Sequence, residues 1–396
     1  MPLKILMIAG EPSGDRLGAN LIDGLKYELR GLNTMEVQGI GGSLMKSKGL
    51  KSIFDLEDIS YMGFVEILPN VPKILNIIKR ISNYAIAWRP DVIITIDSPD
   101  FSFRVSKKIK RIWPEAKIIH YVVPSVWAWR PKRAKKMAKF VDHVLAILPF
   151  EPPFMTEVGL SCEFVGHPVV SEEMPSQEEI RSFRNSMNIK KDDPIVAILP
   201  GSRKSEVFRM IPIFDDMIRV ISSKYPNLLF IIPITENVSD IVIKWVNKTN
   251  LPIIYIKEKD NDPMVFEWQK RLLFSTALAA VATSGTVSLE LARMGAPMVI
   301  AYRTSIITEL LYKLLVNLKT ATLINILTER MDIPEFLFEK CTFKNLSFAL
   351  NTLLIDNEEV LRQQVASNEA MEILGLGGTD PKIRAARSVL KFIKHA

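Results

Sequence analysis

Short apolar runs alternate with helical patterns along the chain, and this alternation restricts the fold more than any other feature of the sequence. Strands that are buried on both faces of a parallel sheet have continuous apolar runs of this kind. The pattern therefore predicts an α/β fold with one parallel sheet in each half of the chain. The predicted strands are 4–9, 92–97, 117–122, 143–148 and 163–165 in the first half, and 194–199, 228–232, 253–256, 279–283 and 298–301 in the second.

A polar, acidic segment, 171–193, separates the two sets of strands and indicates two domains of ordinary size in a chain of 396 residues. We predict an N-terminal domain over 1–168, a C-terminal domain over 169–378, and a last helix within 379–396. A capping aspartate and a first-turn proline mark the start of that helix. Its apolar stripe is flanked by basic residues, which fits packing onto a domain, its own or a partner's, or lying on a membrane.

Composition excludes several classes of protein. With 48% hydrophobic and 24% charged residues, the chain is globular and not intrinsically disordered. The N-terminus enters a predicted strand at once, so we expect a protein that is not secreted, with Cys162 and Cys341 free in a reducing cytosol. The four histidines show no metal-ligand spacing. The run 272–289 has no charged residue and is long enough to raise the question of a membrane span, but it carries many hydroxyl side chains. We therefore expect a strand, a loop and a helix start there, and no transmembrane span.

Positive charge is concentrated in segment 104–139, which contains twelve Lys or Arg residues and one acid, Glu115. This segment alone carries +11, and the rest of the chain carries −4 of the net +7. Such a surface predicts an anionic partner, although solvated helix faces would show the same pattern. No nucleic-acid-binding motif accompanies it, so we expect no nucleic acid partner. An anionic membrane surface or a phosphorylated lipid fits better.

A second unusual segment, 61–81, is apolar on one side. Phe64, Ile67, Leu68 and Val71 are candidates for an exposed apolar patch. Such patches contact membranes or acyl chains, and core packing of an ordinary helix would produce the same pattern.

The loop after the first predicted strand, in "AGEPSGDRLGANL", does not have the glycine spacing of a dinucleotide site. Asp15 is placed to cap the helix that follows, and a carboxylate there repels an anion. We therefore expect Ser13, Gly14 and Asp15 to face neutral sugar hydroxyls rather than phosphate.

The corresponding loop of the second half, "LPGSRKSE", has different chemistry. Gly201 and Ser202 let backbone N–H groups approach an anion, and no acid is expected to obstruct them. Arg203 has a planar, permanently charged fork that suits a diphosphate. A helix start with an exposed arginine is the alternative.

A second phosphate loop is predicted in "TSGTVSLE". Ser284, Gly285 and Thr286 would lie at a helix N-terminus, which favours phosphate. Glu290 lies one turn further on the same helix face, where it could accept both hydroxyls of a ribose. Taken alone, a helix cap with an exposed glutamate is an equal alternative. Beside the Arg203 loop, the two segments predict a nucleoside diphosphate site.

Asp97 lies in "ITIDSPDF", at the end of an apolar strand. Pro99 cannot continue the strand, so Asp97 should project at its carboxyl end, with a raised pKa suited to a general base. A metal pair with Asp100 and a purely structural aspartate are the alternatives. In "HYVVPSVWAWR", Trp127 and Trp129 could form a sugar platform in a cleft or belong to the core.

Together these segments resemble the lipid-A-disaccharide synthase family. The matching segments, in chain order, are AGEPSGDRLGANL, DSPDF, HYVVPSVWAWR, LPFE, FVGHP, LPGSRKSEV, SGTVSLE and PMVIAYR. The resemblance implies two Rossmann-like domains facing a cleft, the GT-B type, and an inverting transfer without metal or cofactor. The implied donor is UDP-2,3-diacylglucosamine and the acceptor 2,3-diacylglucosamine 1-phosphate. A β-1,6-linked disaccharide and UDP would form at the cytoplasmic face of the inner membrane.

The resemblance also implies residue roles. Asp97 matches the family's base, and the loops around Arg203 and Ser284 would bind UDP, with Glu290 on the ribose. Ser13, Gly14, Asp15, Trp127 and Asn325 would lie on the acceptor side. In "LINILTER" the chain keeps Asn325 but lacks the proline and glycine of the family pattern. A sugar-nucleotide epimerase and a catalytically silent glycolipid-binding protein remain alternatives.

Overall fold

A computed structural model describes residues 2–30, 34–55, 64–127, 132–258, 263–304, 309 and 319–395, with only the backbone given at 55, 64–71, 263 and 395. The chain divides into two compact units. The first comprises Met1–Ser171 and Leu374–Ala396, and the second comprises Glu172–Ile373. The last helix and the residues just before it therefore belong to the first unit.

The first unit contains a sheet of seven parallel strands in the order β3-β2-β1-β4-β5-β6-β7. These strands are β1 (Leu3–Ala9), β2 (Met35–Gly41), β3 (Lys51–Asp55), β4 (Val92–Ile96), β5 (Ile118–Tyr121), β6 (His143–Ala146) and β7 (Ser161–Phe164). The helices between them are α1 (Pro12–Glu28), α2 (Ser43–Ser47), α3 (Phe64–Trp88), α4 (Pro99–Ile112), α5 (Lys132–Met137) and α6 (Pro152–Thr156). Every residue of the central strand β4 is buried, as its continuous apolar sequence predicts.

The second unit contains six parallel strands in the order β10-β9-β8-β11-β12-β13. These are β8 (Ile195–Leu199), β9 (Leu229–Ile234), β10 (Ile253–Lys257), β11 (Ala279–Thr283), β12 (Met298–Tyr302) and β13 (Glu335–Leu337). The helices are α7 (Gln177–Ser186), α8 (Lys204–Lys224), α9 (Ser239–Lys248), α10 (Pro263–Thr276), α11 (Val287–Arg293), α12 (Leu323–Thr328), α13 (Phe343–Ile355) and α14 (Asn357–Ile373).

Both sheets reverse their strand order beside their first strand. In the first unit the reversal lies between β1 and β4, and in the second between β8 and β11. In open α/β sheets the loops that leave the carboxyl ends of such a strand pair diverge to opposite faces and leave a crevice, where ligands bind. The fold therefore predicts a ligand site at two pairs of loops, one pair in each unit.

The last helix, α15 (Pro381–His395), packs on α1. A side chain larger than hydrogen at Gly24 of α1 would overlap the Lys382 carbonyl, so only glycine permits this approach. Ala386 and Val389 are fully buried, and Ser388 Oγ lies 2.9 Å from the His143 ring nitrogen Nε2. The apolar stripe of this helix is thus covered by its own unit.

The predicted α/β fold class is confirmed, and each predicted strand has a counterpart in one of the two sheets. Strands β2, β3 and β13 were not predicted. The side chains of Phe64, Ile67, Leu68 and Val71 lie outside the described part of the structure, so the apolar-patch prediction stays a prediction. None of the helices within the described residues combines the length and the apolar character needed to cross a membrane.

Candidate active site

Asp97 follows β4 at the switch point of the first sheet and has a left-handed backbone. Its φ is 52° and that of Ser98 is 43°, values that aspartate tolerates better than most residues do. The Asp97 N–H still donates to the Tyr121 carbonyl, at 2.9 Å, so the strand pairing ends at this residue. The chain then turns sharply into α4, and the carboxylate is placed at the carboxyl edge of the sheet.

The surroundings of the Asp97 carboxylate favour a proton acceptor. The Ser98 N–H donates to Oδ1 at 2.8 Å, and the Ser13 hydroxyl lies 3.4 Å from Oδ2. Burial raises the pKa of the Asp97 carboxyl above its ordinary value, and these two hydrogen bonds only partly oppose the rise. Ser13 and Asp97, predicted from separate motifs, are thus brought together by the β1 and β4 loops.

Asp15 corrects one prediction. It does not cap its own helix, α1, and lies instead in the first turn of that helix with 4% of its surface exposed. Its carboxylate accepts the N–H groups of Gly42, Leu44 and Met45 at 2.7, 3.0 and 3.1 Å, so it caps the next helix, α2. Both oxygens are used in this way, which leaves Asp15 as a structural residue beside Ser13. Gly14 packs against β4.

Trp127 is held by a residue that the sequence did not single out, Glu151. The indole N–H donates to Glu151 Oε1 at 3.3 Å, and the Leu148 N–H donates to Oε2 at 3.0 Å. The Trp127 ring meets the Phe150 ring edge to face at 5.0 Å. Burial raises the pKa of Glu151 to about 8. Trp129 lies outside the described residues.

The loop after β8 carries Gly201, whose φ of 108° is a left-handed conformation that other residues rarely adopt. Arg203 follows, with an exposed side chain that pairs with Glu206 Oε1 at 3.0 Å. The expectation that no acid obstructs this loop is wrong, because a Cβ at Gly201 would lie 2.9 Å from Glu206 Oε2. Arg203 is the N-cap residue of α8 and Glu206 lies in the first turn of that helix. The two side chains therefore lie on the same side, and the Glu206 carboxylate holds the Arg203 guanidinium at this loop.

A pocket of about 240 Å³ opens between this loop and the one after β11. It brings the predicted Arg203 and Ser284 together with side chains that the sequence did not indicate. The pocket is lined by Arg203, Glu206, Ser284, Tyr302, Thr304, Ala321, Leu337 and Phe338. The rings of Tyr302 and Phe338 meet edge to face at 6.4 Å. Their presence results from β12 and β13 ending beside the pocket, a pairing that sequence periodicity does not reveal.

The other residues that were predicted to bind the nucleoside diphosphate do not line this pocket. Thr286 is the N-cap residue of α11 without a capping bond from its side chain, and Gly285 and Ser202 are exposed loop residues. Glu290 pairs with Lys270 at 2.9 Å and does not belong to the pocket lining. A ribose contact by Glu290 would therefore compete with an existing ion pair.

Asn325 is 2% exposed, and its amide is occupied by the backbone of Ile333. The side-chain oxygen accepts the Ile333 N–H at 2.9 Å, and the amide nitrogen donates to the Ile333 carbonyl at 2.8 Å. The predicted substrate contact is therefore replaced by a structural role. Asp100 pairs with Arg133, and the described residues contain no group of three or more His, Cys, Asp or Glu that could hold a metal ion.

The family model for lipid-A-disaccharide synthetase matches residues 5–386. The lipid-A-disaccharide synthase of Ruegeria pomeroyi is 41% identical over 388 residues, which cover 98% of this chain and 95% of the relative. That of Rhodospirillum centenum is 40% identical over 394 residues, with coverages of 99% and 95%.

Solved structures of similar fold include a UDP-GlcNAc 2-epimerase from Neisseria meningitidis bound to UDP-GlcNAc. It has a TM-score of 0.66 and 14% identity, and the match covers all of both chains. A glycosyltransferase from Rickettsia africae has a TM-score of 0.58 and 13% identity, with coverages of 99% and 98%. At such identities these similarities concern the fold alone.

Proposed function

From the premise that this chain belongs to the lipid-A-disaccharide synthase family, we propose how its two units divide a hexosyl transfer between them. The family resemblance read from the sequence is confirmed, and with it a glycosyltransferase of lipid A biosynthesis that takes a UDP-sugar and a lipid acceptor. In the finer proposal, the donor is UDP-2,3-diacylglucosamine and the acceptor is 2,3-diacylglucosamine 1-phosphate. The products are the β-1,6-linked disaccharide and UDP.

The observation that carries this division is the meeting of Arg203 and Ser284 in one pocket at the second switch point. We assign this pocket to the UDP part of the donor, with the guanidinium on the diphosphate. The edges of Tyr302 and Phe338 suit the flat uracil ring. Gly201, Ser202, Gly285 and Thr286 would contribute backbone N–H groups, and Glu290 would reach the ribose only after releasing Lys270.

Asp97 is the proposed general base. In an inverting transfer, a base removes the proton of the acceptor hydroxyl as its oxygen attacks the anomeric carbon, and the diphosphate leaves from the opposite face. Its raised pKa makes Asp97 a better proton acceptor than an ordinary aspartate. Negative charge grows on the departing diphosphate, and Arg203 with the loop N–H groups would stabilise it without needing a metal ion. Ser13 and Trp127 are assigned to the acceptor side.

The basic surface of the first unit is proposed to contact an anionic membrane at the cytoplasmic face of the inner membrane. Arg133 of α5 pairs with Asp100, which lies in the first turn of α4. The exposed cations of these two helices are Arg104, Lys107, Arg111, Lys132, Lys135 and Lys136. Binding should be strong to vesicles with anionic lipid, weak to neutral ones, and reduced by salt. Equal binding of the variant Lys107→Glu/Arg111→Glu would contradict this surface.

The reaction is tested by adding both proposed substrates to the purified protein in detergent with EDTA, and by measuring UDP and disaccharide together. UDP release that requires the lipid acceptor, with one disaccharide formed per UDP, would support the proposal. An epimerase would convert the donor sugar without the acceptor. A silent binding protein would bind UDP and release no product.

A further inference from the structure

Strand β13 begins with a carboxylate, Glu335, that organises the turn before α12. Glu335 Oε2 accepts the hydroxyls of Thr320 and Thr322 at 2.7 and 2.8 Å. It also accepts the N–H groups of Ala321 and Thr322 at 3.0 and 3.2 Å. One side chain thus fixes three successive residues, 320–322, through both backbone and side-chain bonds. Hydrogen bonds to a carboxylate are stronger than those between neutral groups.

The fixed turn forms part of the donor pocket. Ala321 lines that pocket, and its carbonyl lies 3.4 Å from the hydroxyl of Ser284. Strand β13 pairs with β12 so that Leu337 lies opposite Tyr302, and this register brings Leu337 and the following phenylalanine into the same pocket. Glu335 therefore connects two walls of the pocket, the turn and the end of its own strand.

Asn325 belongs to the same support. Besides its two bonds to Ile333, its amide lies 3.4 Å from the Thr320 hydroxyl that donates to Glu335. Thr320 and Thr322 are 8% and 1% exposed, so these bonds are removed from competition with water. Asn325 therefore acts on the pocket indirectly, by supporting the turn that forms one of its walls.

We propose that Glu335 is a positioning residue for donor binding, one that sets the Ala321 wall against Ser284 while contacting no substrate itself. This inference rests on the proposed donor role of the pocket. The ligand class whose binding it controls is a uridine diphosphate. Loss of Glu335 would free the turn and let the wall move, and a pocket wall that must be ordered when the ligand binds lowers the affinity.

The test measures UDP affinity by calorimetry, and the KM values of donor and acceptor, for wild type, Glu335→Ala and Glu335→Gln. Glu335→Ala should weaken UDP binding and raise donor KM about tenfold, with acceptor KM unchanged and kcat at saturating donor nearly retained. Glu335→Gln should recover part of the affinity, because its side-chain carbonyl still accepts hydrogen bonds. Asp215→Ala is the matched control, since Asp215 is also a half-buried carboxylate, bonded to Trp245 and Arg219.

The outcomes separate this inference from the proposed function. Failure of the wild-type protein to bind UDP would overturn the donor site itself. Normal UDP binding by both wild type and folded Glu335→Ala would overturn the positioning role alone. An equal loss in Asp215→Ala would also overturn it, since it would show general destabilisation. Should Glu335→Ala not fold, Thr322→Val removes a single hydroxyl bond, and unchanged UDP affinity in that variant would be decisive against the proposal.

Discussion

The two sheets share one topology at their switch points, but the residues placed there differ in type and in charge. In the first unit the loop after β4 holds Asp97, a left-handed aspartate bonded to Ser13 and Ser98. In the second, the loop after β8 holds a left-handed glycine and Arg203. Each unit has a crevice at its own switch point. The crevice of the first unit presents a proton acceptor, and that of the second unit suits the binding of an anion. Topology locates a site, and the residue at the end of the strand decides its chemistry.

The largest effect is expected at the aspartate. Asp97→Asn keeps the shape but removes the base, so turnover should fall by about 10²- to 10⁴-fold. Steady-state disaccharide formation measures it. Asp100→Asn is the control, because that carboxylate is exposed, lies only three residues away and should leave turnover near normal. Near-normal turnover in Asp97→Asn would show that the base lies elsewhere.

The arginine is the second place to test the comparison. Arg203→Lys keeps the charge but loses the planar fork, so kcat/KM for the UDP-sugar should fall about tenfold to a hundredfold. Arg219→Lys, on the helix that Arg203 precedes and paired with Asp215, is the matched control and should behave as wild type. A loss of the same size in both variants would be a general effect of replacing arginine in this region and would contradict a bidentate contact specific to Arg203.

A pH effect on stability should distinguish the first unit. Glu151 keeps its proton in the folded protein up to about pH 8, whereas the unfolded chain releases it near 4.5. Between these values the unfolded state binds fewer protons, so the free energy of unfolding should fall with rising pH, by about 1.4 kcal/mol per pH unit at most. Denaturant unfolding at pH 5 and pH 8 measures this fall. Glu151→Gln, neutral throughout, should lose it; an unchanged pH dependence would contradict the burial of this carboxyl.

The smallest effect is expected at Asp15, where the structure replaces a site prediction by a cap. Asp15→Ala leaves three N–H groups at the start of α2 without their acceptor and should cost about 1–2 kcal/mol of unfolding free energy. The folded variant should retain its acceptor KM. Denaturant midpoints and kinetics on one preparation give both values, and a raised KM without lost stability would return Asp15 to the acceptor site.

The sequence predicted what depends on local pattern. Apolar runs predicted most strands of both sheets. Strand β2 was not predicted because Gln38 and Gly39 interrupt its apolar pattern. The loops after β1, β4, β8 and β11 could be paired because parallel strands end at one edge. Predicting that Arg203 and Ser284 meet required only that knowledge.

Long-range partners could not be predicted. Asp15 looked like a cap for its own helix, and nothing local shows that α2, nearly 30 residues later, uses its oxygens. The family pattern indicated Asn325 as a contact residue, but a sequence does not show the hydrogen bonds to Ile333 that occupy its amide. The burial of Glu151 and the arrival of Phe338 in the pocket depend equally on tertiary packing.

The division of labour between the two units is tested most directly by measuring the UDP affinity of Asp97→Asn and Arg203→Ala by calorimetry beside wild type. The account predicts that Asp97→Asn binds UDP as wild type does, because a base acts in the transition state, while Arg203→Ala binds at least tenfold more weakly. Weak UDP binding by Asp97→Asn together with wild-type binding by Arg203→Ala would contradict the assignment of both units.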